Sequence, residues 1–348
     1  MKILVTGGCG FLGSHVCDYY VKKGADVIAY DNMTKHELER TGLATEEARD
    51  FNWKFLKELG VRMVKADVRN YDELLDHVSG CNYIVHTAAQ PAMTISWENP
   101  RLDITTNVMG TFNVLEAARK LKIPVASCAT IHVYGNKINE EIREGKTRYN
   151  REPQGIDETY PTLGGFLSPL HGSKAAVDIY TKVYIDTYRL EAASFRLTGI
   201  YGTRQFGGED HGWVANFAIR SVLNRPLTIF GTGKQIRDII YATDICEAFD
   251  AFYTTRNAGV YNIGGGSKTA ISLLECIDLI GEIIGKKPEI QFAPDRYADL
   301  RYFICDITKA KRELAWEPKI MPEEGVSKLI DWIKENRNVL IAKEDGRL

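Results

Sequence analysis

Three glycines spaced three apart, Gly7, Gly10 and Gly13, follow directly on the apolar run Ile3-Leu4-Val5. Such a run suits a strand buried on both faces. The residues from Phe11 to Lys23 are compatible with a helix. Glycine at a strand-to-helix turn lets backbone amides close on a pyrophosphate, because no Cβ stands in the way. A purely structural turn in another α/β protein would carry the same triplet, so the next apolar run has to decide. That run, Val27-Ile28-Ala29-Tyr30, ends in Asp31. A carboxylate about twenty residues past the glycines accepts from a ribose hydroxyl in dinucleotide-binding βαβ units. It would also repel the 2′-phosphate of NADP. The pattern therefore predicts NAD, with Lys35 close enough to bear on that choice.

The elements that must position these residues alternate between strand and helix. Arg62-Met63-Val64 reads as a third strand ending at Asp67, and Tyr71 to Val78 as a helix. Asp67 either meets the adenine amino group or caps a turn. Tyr83 to His86 is a fourth strand, followed by the small residues of Thr87-Ala88-Ala89-Gln90, against which the nicotinamide side of a cofactor can lie. Asn107 to Lys120 is a helix with an apolar stripe at Val108, Phe112, Leu115 and Ala118, and Val125 to Thr130 is a fifth strand. This alternation predicts an α/β fold, a Rossmann-like doubly wound parallel sheet with a smaller C-terminal substrate-binding lobe. We expect residues 1–190 to form the cofactor domain, with 233–265 returning to it, and 191–348 to form mainly the second lobe. Residues 136–168 are polar and long enough to suggest a functional loop.

Lys174 to Leu190 reads as a helix with apolar side chains on more than one face, including Ala176, Ile179, Tyr180, Val183 and Ile185. One side can meet the sheet and the other a partner subunit, alongside the 107–120 helix, which predicts a homodimer. Ala192 to Ile200 reads as a strand entering the smaller lobe, and Glu323 to Glu335 as a last amphipathic helix.

Composition excludes several classes. The 348 residues are 44% hydrophobic and 26% charged, with a formal net charge of −2 and no block of like charge, so neither a nucleic-acid groove nor a membrane surface is expected. Seven scattered cysteines form no CxxC pair and no metal-ligand spacing, so no metal is expected. No apolar run would span a bilayer, and a glycine turn stands where a signal peptide's apolar region would be, which points to the cytoplasm.

Four features together resemble the extended short-chain dehydrogenase/reductase family: TGGCGFLG near the N-terminus, Asn107-Val-Met-Gly110-Thr111, Val133-Tyr134-Gly135, and Lys174 opening a helix. The likeness covers nearly the whole chain and is strongest to the nucleotide-sugar epimerase branch. Within that branch, three stretches are similar to the CDP-tyvelose (CDP-paratose) 2-epimerases. They are Gln90-Pro-Ala-Met-Thr94 with Asn99-Pro100, Arg204-Gln205-Phe206 with Gly212-Trp213-Val214, and Gly231-Thr-Gly-Lys-Gln-Ile-Arg237-Asp238. The glycine motif is shared by many activities, whereas the last two stretches are far more specific.

The resemblance implies a tightly held NAD that takes a hydride from a sugar carbon and returns it to the other face of the keto-sugar. It places the cofactor along Gly7, Gly10, Phe11, Leu12, Gly13, Asp31, Asn32, Asp67, Val68, Ala88, Ala89, Gln90, Asn107 and Lys174. It places the nucleotide sugar at Thr94, Ser96, Thr130, Arg204, Gln205, Arg237 and Arg301, with Arg296 and Asp299 adding contacts. Guanidinium suits a diphosphate bidentately, although for each arginine an ordinary ion pair is the alternative.

One position departs from the pattern. The family's base is the tyrosine of a Tyr-x-x-x-Lys motif, helped by Ser or Thr. Thr130 and Lys174 match, but Leu170 stands where tyrosine belongs. If the chain stays extended past the fifth strand, Cys128, Thr130 and His132 point the same way. Both imidazole and thiol titrate near neutrality. His132 is ranked first as the replacement base, Cys128 second and His171 third, with His132 as a mere hydrogen-bond partner held open. Tyr134 is expected to be structural. A dehydratase or decarboxylase is a second reading, weakened because Ile131 and His132 stand where those enzymes carry two acidic residues. A silent binder of NAD and nucleotide sugar is a third, made credible by Leu170.

Overall fold

The computed structural model describes residues 1–43, 45–297 and 299–341, so position 44 of the expected span 1–190, and position 298 and residues 342–348 of the expected span 191–348, lie outside the described residues. Seven short strands form one parallel sheet: β1 (Lys2–Thr6), β2 (Asp26–Asp31), β3 (Arg62–Lys65), β4 (Tyr83–His86), β5 (Val125–Thr130), β6 (Ala192–Leu197) and β7 (Gly259–Ile263). Their order is β3-β2-β1-β4-β5-β6-β7. The order reverses between β1 and β4, the topological switch point where a doubly wound sheet opens a crevice beyond its carboxyl ends. The central strands are mostly apolar and buried because both faces are covered, whereas β3 at the edge is not. One face packs on helix α1 (Phe11–Lys22) and the Ala242–Thr255 helix, through Val5, Val85, Phe195, Val16 and Phe249. The other packs on the Tyr71–Val78 and Gly110–Leu121 helices, through Leu4, Ile84, Leu74 and Leu115.

The second lobe has its own core. A four-stranded sheet, in which Ile236–Tyr241 pairs with Ala270–Ser272, Tyr302–Phe303 and Gly199–Tyr201, and a parallel pair, Leu227–Phe230 with Ile290–Ala293, lie beside the Trp213–Val222, Leu273–Ile284 and Pro322–Glu335 helices. Leu38, Leu43 and Ala48, from the β2-to-β3 crossover, are buried in this core with Val214 and Phe217. Phe51 meets the rings of Phe206 and Trp332 at centroid distances of 5.9 and 5.6 Å.

Four boundaries differ from expectation, each for a local reason. The stretch expected as a strand over 192–200 divides: β6 sits in the main sheet between β5 and β7, and only Gly199–Tyr201 enters the second lobe. The 174–190 helix instead runs Pro169–Tyr188. Its start is a capping box in which Ser168 Oγ accepts from the His171 amide while His171 Nδ1 accepts from the Ser168 amide. Histidine in the place usually held by Glu or Gln hides that signal. The 107–120 helix continues a run that opens at Pro100–Asp103 and passes through a π turn, Ile104–Met109, before Gly110–Leu121. Finally, the chain leaves the extended conformation after Thr130, and Ile131–Tyr134 is a 3-10 turn. Alternation therefore does not carry His132 to the side shared by Cys128 and Thr130. The 136–168 segment is not free loop throughout. Ile156 bridges to Cys305, and the Tyr149 amide donates to the Lys234 carbonyl, which ties the segment to the second lobe.

Candidate active site

The crevice at the switch point is a cleft of about 150 Å³ lined by Gly7, Gly10, Asp31, Asn32, Lys35, Val68, Ala88 and Gln90, among others. Gly7 has φ +66°, and a Cβ there would lie 2.7 Å from the Cα of Ala88; one on Gly13 would lie 2.0 Å from the Gly7 carbonyl oxygen. These close approaches are what require glycine. No side chain caps α1, so its first amides are left facing the crevice, as an anion needs. Asp31 is buried, accepting from the amides of Cys9 (2.9 Å) and Met33 (2.7 Å). Uncapped helix, glycine cradle and carboxylate together fit an adenine dinucleotide.

Asp67 is engaged by Arg69, at 2.9 Å from Nε and 2.6 Å from Nη2, and by the Asn32 amide at 2.9 Å. Burial pushes its carboxyl up, but these hydrogen bonds outweigh that and hold it down to about 2. The Lys35 ammonium donates to the Cys9 carbonyl at 2.6 Å and the Arg49 carbonyl at 3.2 Å.

Behind the crevice, a buried polar network joins three elements. Asn107, in the π turn, accepts from the Gln90 amide at 2.8 Å through Oδ1 and donates to the Gln90 carbonyl (3.1 Å), Asp103 (3.1 Å) and Ser173 Oγ (3.0 Å). Gln90 Nε2 donates to Asp103 at 2.9 Å. The network fixes the post-β4 loop against the Pro169–Tyr188 helix. Asp103 and Ser173 were not singled out in the sequence, where nothing short of the helix register would reveal them.

Lys174 and Leu170 stand one turn apart on that helix, on the same face. The Lys174 ammonium is buried and donates to the Cys128 carbonyl at 3.1 Å; burial lowers its pKa. Leu170 is 5% exposed, and its amide donates to Ser96 Oγ at 3.2 Å. Thr130 Oγ1 accepts from the His132 amide at 3.4 Å, capping the 3-10 turn. The imidazoles of His132 and His171 lie edge to face, centroids 5.3 Å apart at 84°. His132 Nδ1 is buried with no hydrogen-bond partner among the described residues. Burial, the neighbouring His171 and the Arg237 guanidinium lower the pKa of His132 to about 3. Cys128 packs into the apolar layer with Ala126, Val85 and Phe195, and burial pushes its thiol up to about 12.

The expected sugar-nucleotide residues divide into groups. Arg237 and Arg301 stand in the second lobe. Arg237 donates to the carbonyls of Ile236 (2.8 Å) and Leu300, with Asp299 3.7 Å away, and Arg301 pairs with Asp295 at 2.7 Å. Arg296 donates to the Glu209 carbonyl at 2.6 Å. Arg204 lies elsewhere: it is buried against α1, bonded to Ser14 Oγ (3.2 Å) and paired with Asp18 (3.4 Å), over the Phe55 ring. The ion pair is thus the reading its geometry supports. Ser96 is fully buried, its hydroxyl donating to the Met93 carbonyl at 2.6 Å while it accepts from Leu170. The Ser96 hydroxyl is thus engaged as both donor and acceptor, and Arg204 turns its Nε and Nη2 to α1. Thr94 bridges Arg40 (3.0 Å) and Asp210 (2.7 Å), and Gln205 Nε2 donates to the Ile200 carbonyl at 3.2 Å. Tyr134 is wholly buried, its hydroxyl donating to Asn262 at 2.8 Å and accepting from Arg196 at 2.8 Å.

A parallel sheet with a 3-2-1-4 switch, an uncapped helix after a glycine turn, and a threonine at the end of β5 with a buried lysine bonded to that strand define a dinucleotide-binding, two-lobed short-chain dehydrogenase/reductase architecture. Residues 3–264 match the model of the NAD dependent epimerase/dehydratase family, and the chain belongs to that family. It is 36% identical over 347 residues to the CDP-paratose 2-epimerase of Salmonella typhi, covering 95% of this chain and 99% of that one. The UDP-glucuronic acid 4-epimerase of Bacillus cereus, solved with UDP-glucuronic acid and NAD, superposes with a TM-score of 0.80 at 26% identity, covering 96% and 99% of the two chains. The UDP-glucose 4-epimerase of Thermotoga maritima, solved with UDP-glucose, gives 0.79 at 28% identity over 97% and 100%.

Proposed function

We propose that this protein epimerises a nucleotide sugar, at C2 of a CDP-sugar, through a transient keto-sugar, with NAD held in the switch-point crevice and His132 in the place of the family tyrosine. The observation that carries the proton-transfer part is the His132 imidazole, whose buried Nδ1 has no hydrogen-bond partner among the described residues and whose ring lies edge to face with that of His171, next to Leu170 in the chain. The nucleotide and the carbon rest on the likeness to CDP-paratose 2-epimerase.

When bound, NAD supplies a hydride acceptor at its nicotinamide and gives the hydride back, so no net oxidation occurs. The chain's own residues do the rest. His132 is neutral at neutral pH and takes the hydroxyl proton of the sugar. Its low proton affinity makes it a weaker base than a phenolate. Thr130 orients the same hydroxyl. Lys174 holds the nicotinamide ribose, and Arg237 and Arg301 hold the diphosphate. Cys128 is not retained as a base, since a thiol held near 12 in an apolar layer stays protonated. Residues 1–190, joined by β6 and by the 242–263 part of the expected returning stretch 233–265, carry the cofactor, while the Ile236–Tyr241 strand of that stretch stays in the sheet of the second lobe, which carries the substrate. The exposed apolar residues Met109, Phe112, Ile179, Tyr180 and Val183, on two adjoining helices, support a homodimer. Seven buried, unpaired cysteines suit the reducing cytoplasm. Among the described residues no helix is long and apolar enough to cross a membrane.

The test is incubation of the purified protein with CDP-, UDP- and GDP-hexoses, deuterated at C2 or at C4, followed by NMR of the products. The proposal expects a C2 isomer of the CDP-sugar that keeps its own deuterium and gains none from solvent. A C4 isomer would overturn the assigned carbon. No isomer with any sugar nucleotide would leave a silent binder, the reading that Leu170 makes credible. Full activity in a His132→Ala/Cys128→Ala double variant would remove the imidazole assignment.

A further inference from the structure

The crossover between β2 and β3 carries two side chains that reach back to the glycine turn. Asn52 is 1% exposed, on the Thr45–Glu58 helix, and its Nδ2 donates to the carbonyls of Cys9 (3.1 Å) and Gly10 (3.3 Å). Lys35 donates to the same Cys9 carbonyl at 2.6 Å. The Cys9 amide is itself held by Asp31 at 2.9 Å.

We infer that Lys35 and Asn52 are positioning residues for the cofactor, which clamp the carbonyls of the glycine turn so that the amides of the α1 N-terminus face its pyrophosphate. The inference rests on the reading of that crevice as the NAD site. A peptide unit is planar and its C=O and N–H point opposite ways, so gripping the Gly10 carbonyl from behind aims the Phe11 amide forward. Glycine leaves this segment more conformations than any other residue would, and something outside the turn must remove them. The clamp is anchored elsewhere. Leu38, Leu43 and Ala48 bury into the second lobe's core, and Phe51 sits between Phe206 and Trp332. Lys35 also has a second acceptor, the Arg49 carbonyl at 3.2 Å. Two of the three ammonium donors are thus spent on backbone carbonyls.

The test titrates cofactor-freed protein with NAD, NADP and ADP-ribose by fluorescence, with CDP as a second-lobe control and thermal melting as a folding control. Lys35→Met and Asn52→Leu are expected to weaken NAD and ADP-ribose about 10-fold or more, leave CDP affinity within about twofold, and leave NADP weak throughout. Lys35→Arg, which can still donate to the Cys9 carbonyl, is expected to recover most of the loss. Wild-type NAD affinity in a Lys35→Met protein that melts normally would overturn the clamp. So would equal losses for NAD and CDP, or a loss for NADP larger than for NAD. Wild-type protein that binds neither NAD nor ADP-ribose would instead remove the cofactor reading beneath it.

Discussion

Burial sets what the His132 imidazole can do. The unfolded side chain titrates near its ordinary value of 6.5, while the folded one is lowered to about 3 by burial, His171 and Arg237. Between those values the unfolded chain binds one more proton, so stability is full above pH 6.5 and is lost as pH falls through the window, by about 1.4 kcal/mol per unit. A His132→Gln variant should therefore lose about 2 kcal/mol less than the parent between pH 7 and 5, read by urea unfolding at both values. For chemistry, removing a general base costs about 10²–10⁴ in kcat, the drop expected for His132→Phe. Leu170→Tyr should raise kcat, because residue 170 sits one turn above Lys174 on the same helical face. An unchanged rate in His132→Phe counts against the imidazole assignment, and an unchanged rate in Leu170→Tyr counts against a phenol at that position reaching the reacting hydroxyl. At this scale the sequence was informative where chemistry depends on residue type, as at Gly7, Gly13 and Asp31. It was not where direction matters: only the 3-10 turn after Thr130 separates His132 from Cys128, and only the packing on α1 reveals that Arg204 faces Asp18.

Helix Pro169–Tyr188 ties the site to the fold, and its first turn is set by Ser168. The Ser168 hydroxyl caps the His171 amide and bonds to His171 Nδ1 at 2.7 Å, so it orients the ring that lies against His132. Ser168→Ala should cost about 1 kcal/mol in denaturant unfolding, as lost caps do. It should also lower kcat if the two rings act together. Strand and helix order was legible because apolar runs and glycine turns alternate regularly. Two helix starts were not, because a histidine completes the capping box before the Pro169–Tyr188 helix and a π turn interrupts the period before Gly110.

At the scale of the whole molecule, two adjoining helices leave Ile179 53% and Met109 48% exposed, with Phe112, Tyr180 and Val183 beside them. Apolar patches of this kind mark interaction sites. The native protein should sediment at twice the chain mass, and Ile179→Asp should halve it; a wild-type monomer would remove the dimer. The two-lobed outline was readable from length and from the loss of regular alternation after residue 190. That Leu38, Leu43, Ala48 and Phe51 pack into the opposite lobe was not, since a polar, helix-rich stretch does not show what its few apolar side chains meet and only packing reveals it. A chimaera made by exchanging the C-terminal half with that of a relative would keep its own crossover but lose the surface that crossover leans on. Swapping that segment together with the half it docks into should rescue nucleotide retention in the hybrid, which makes the seam for recombination a three-dimensional one.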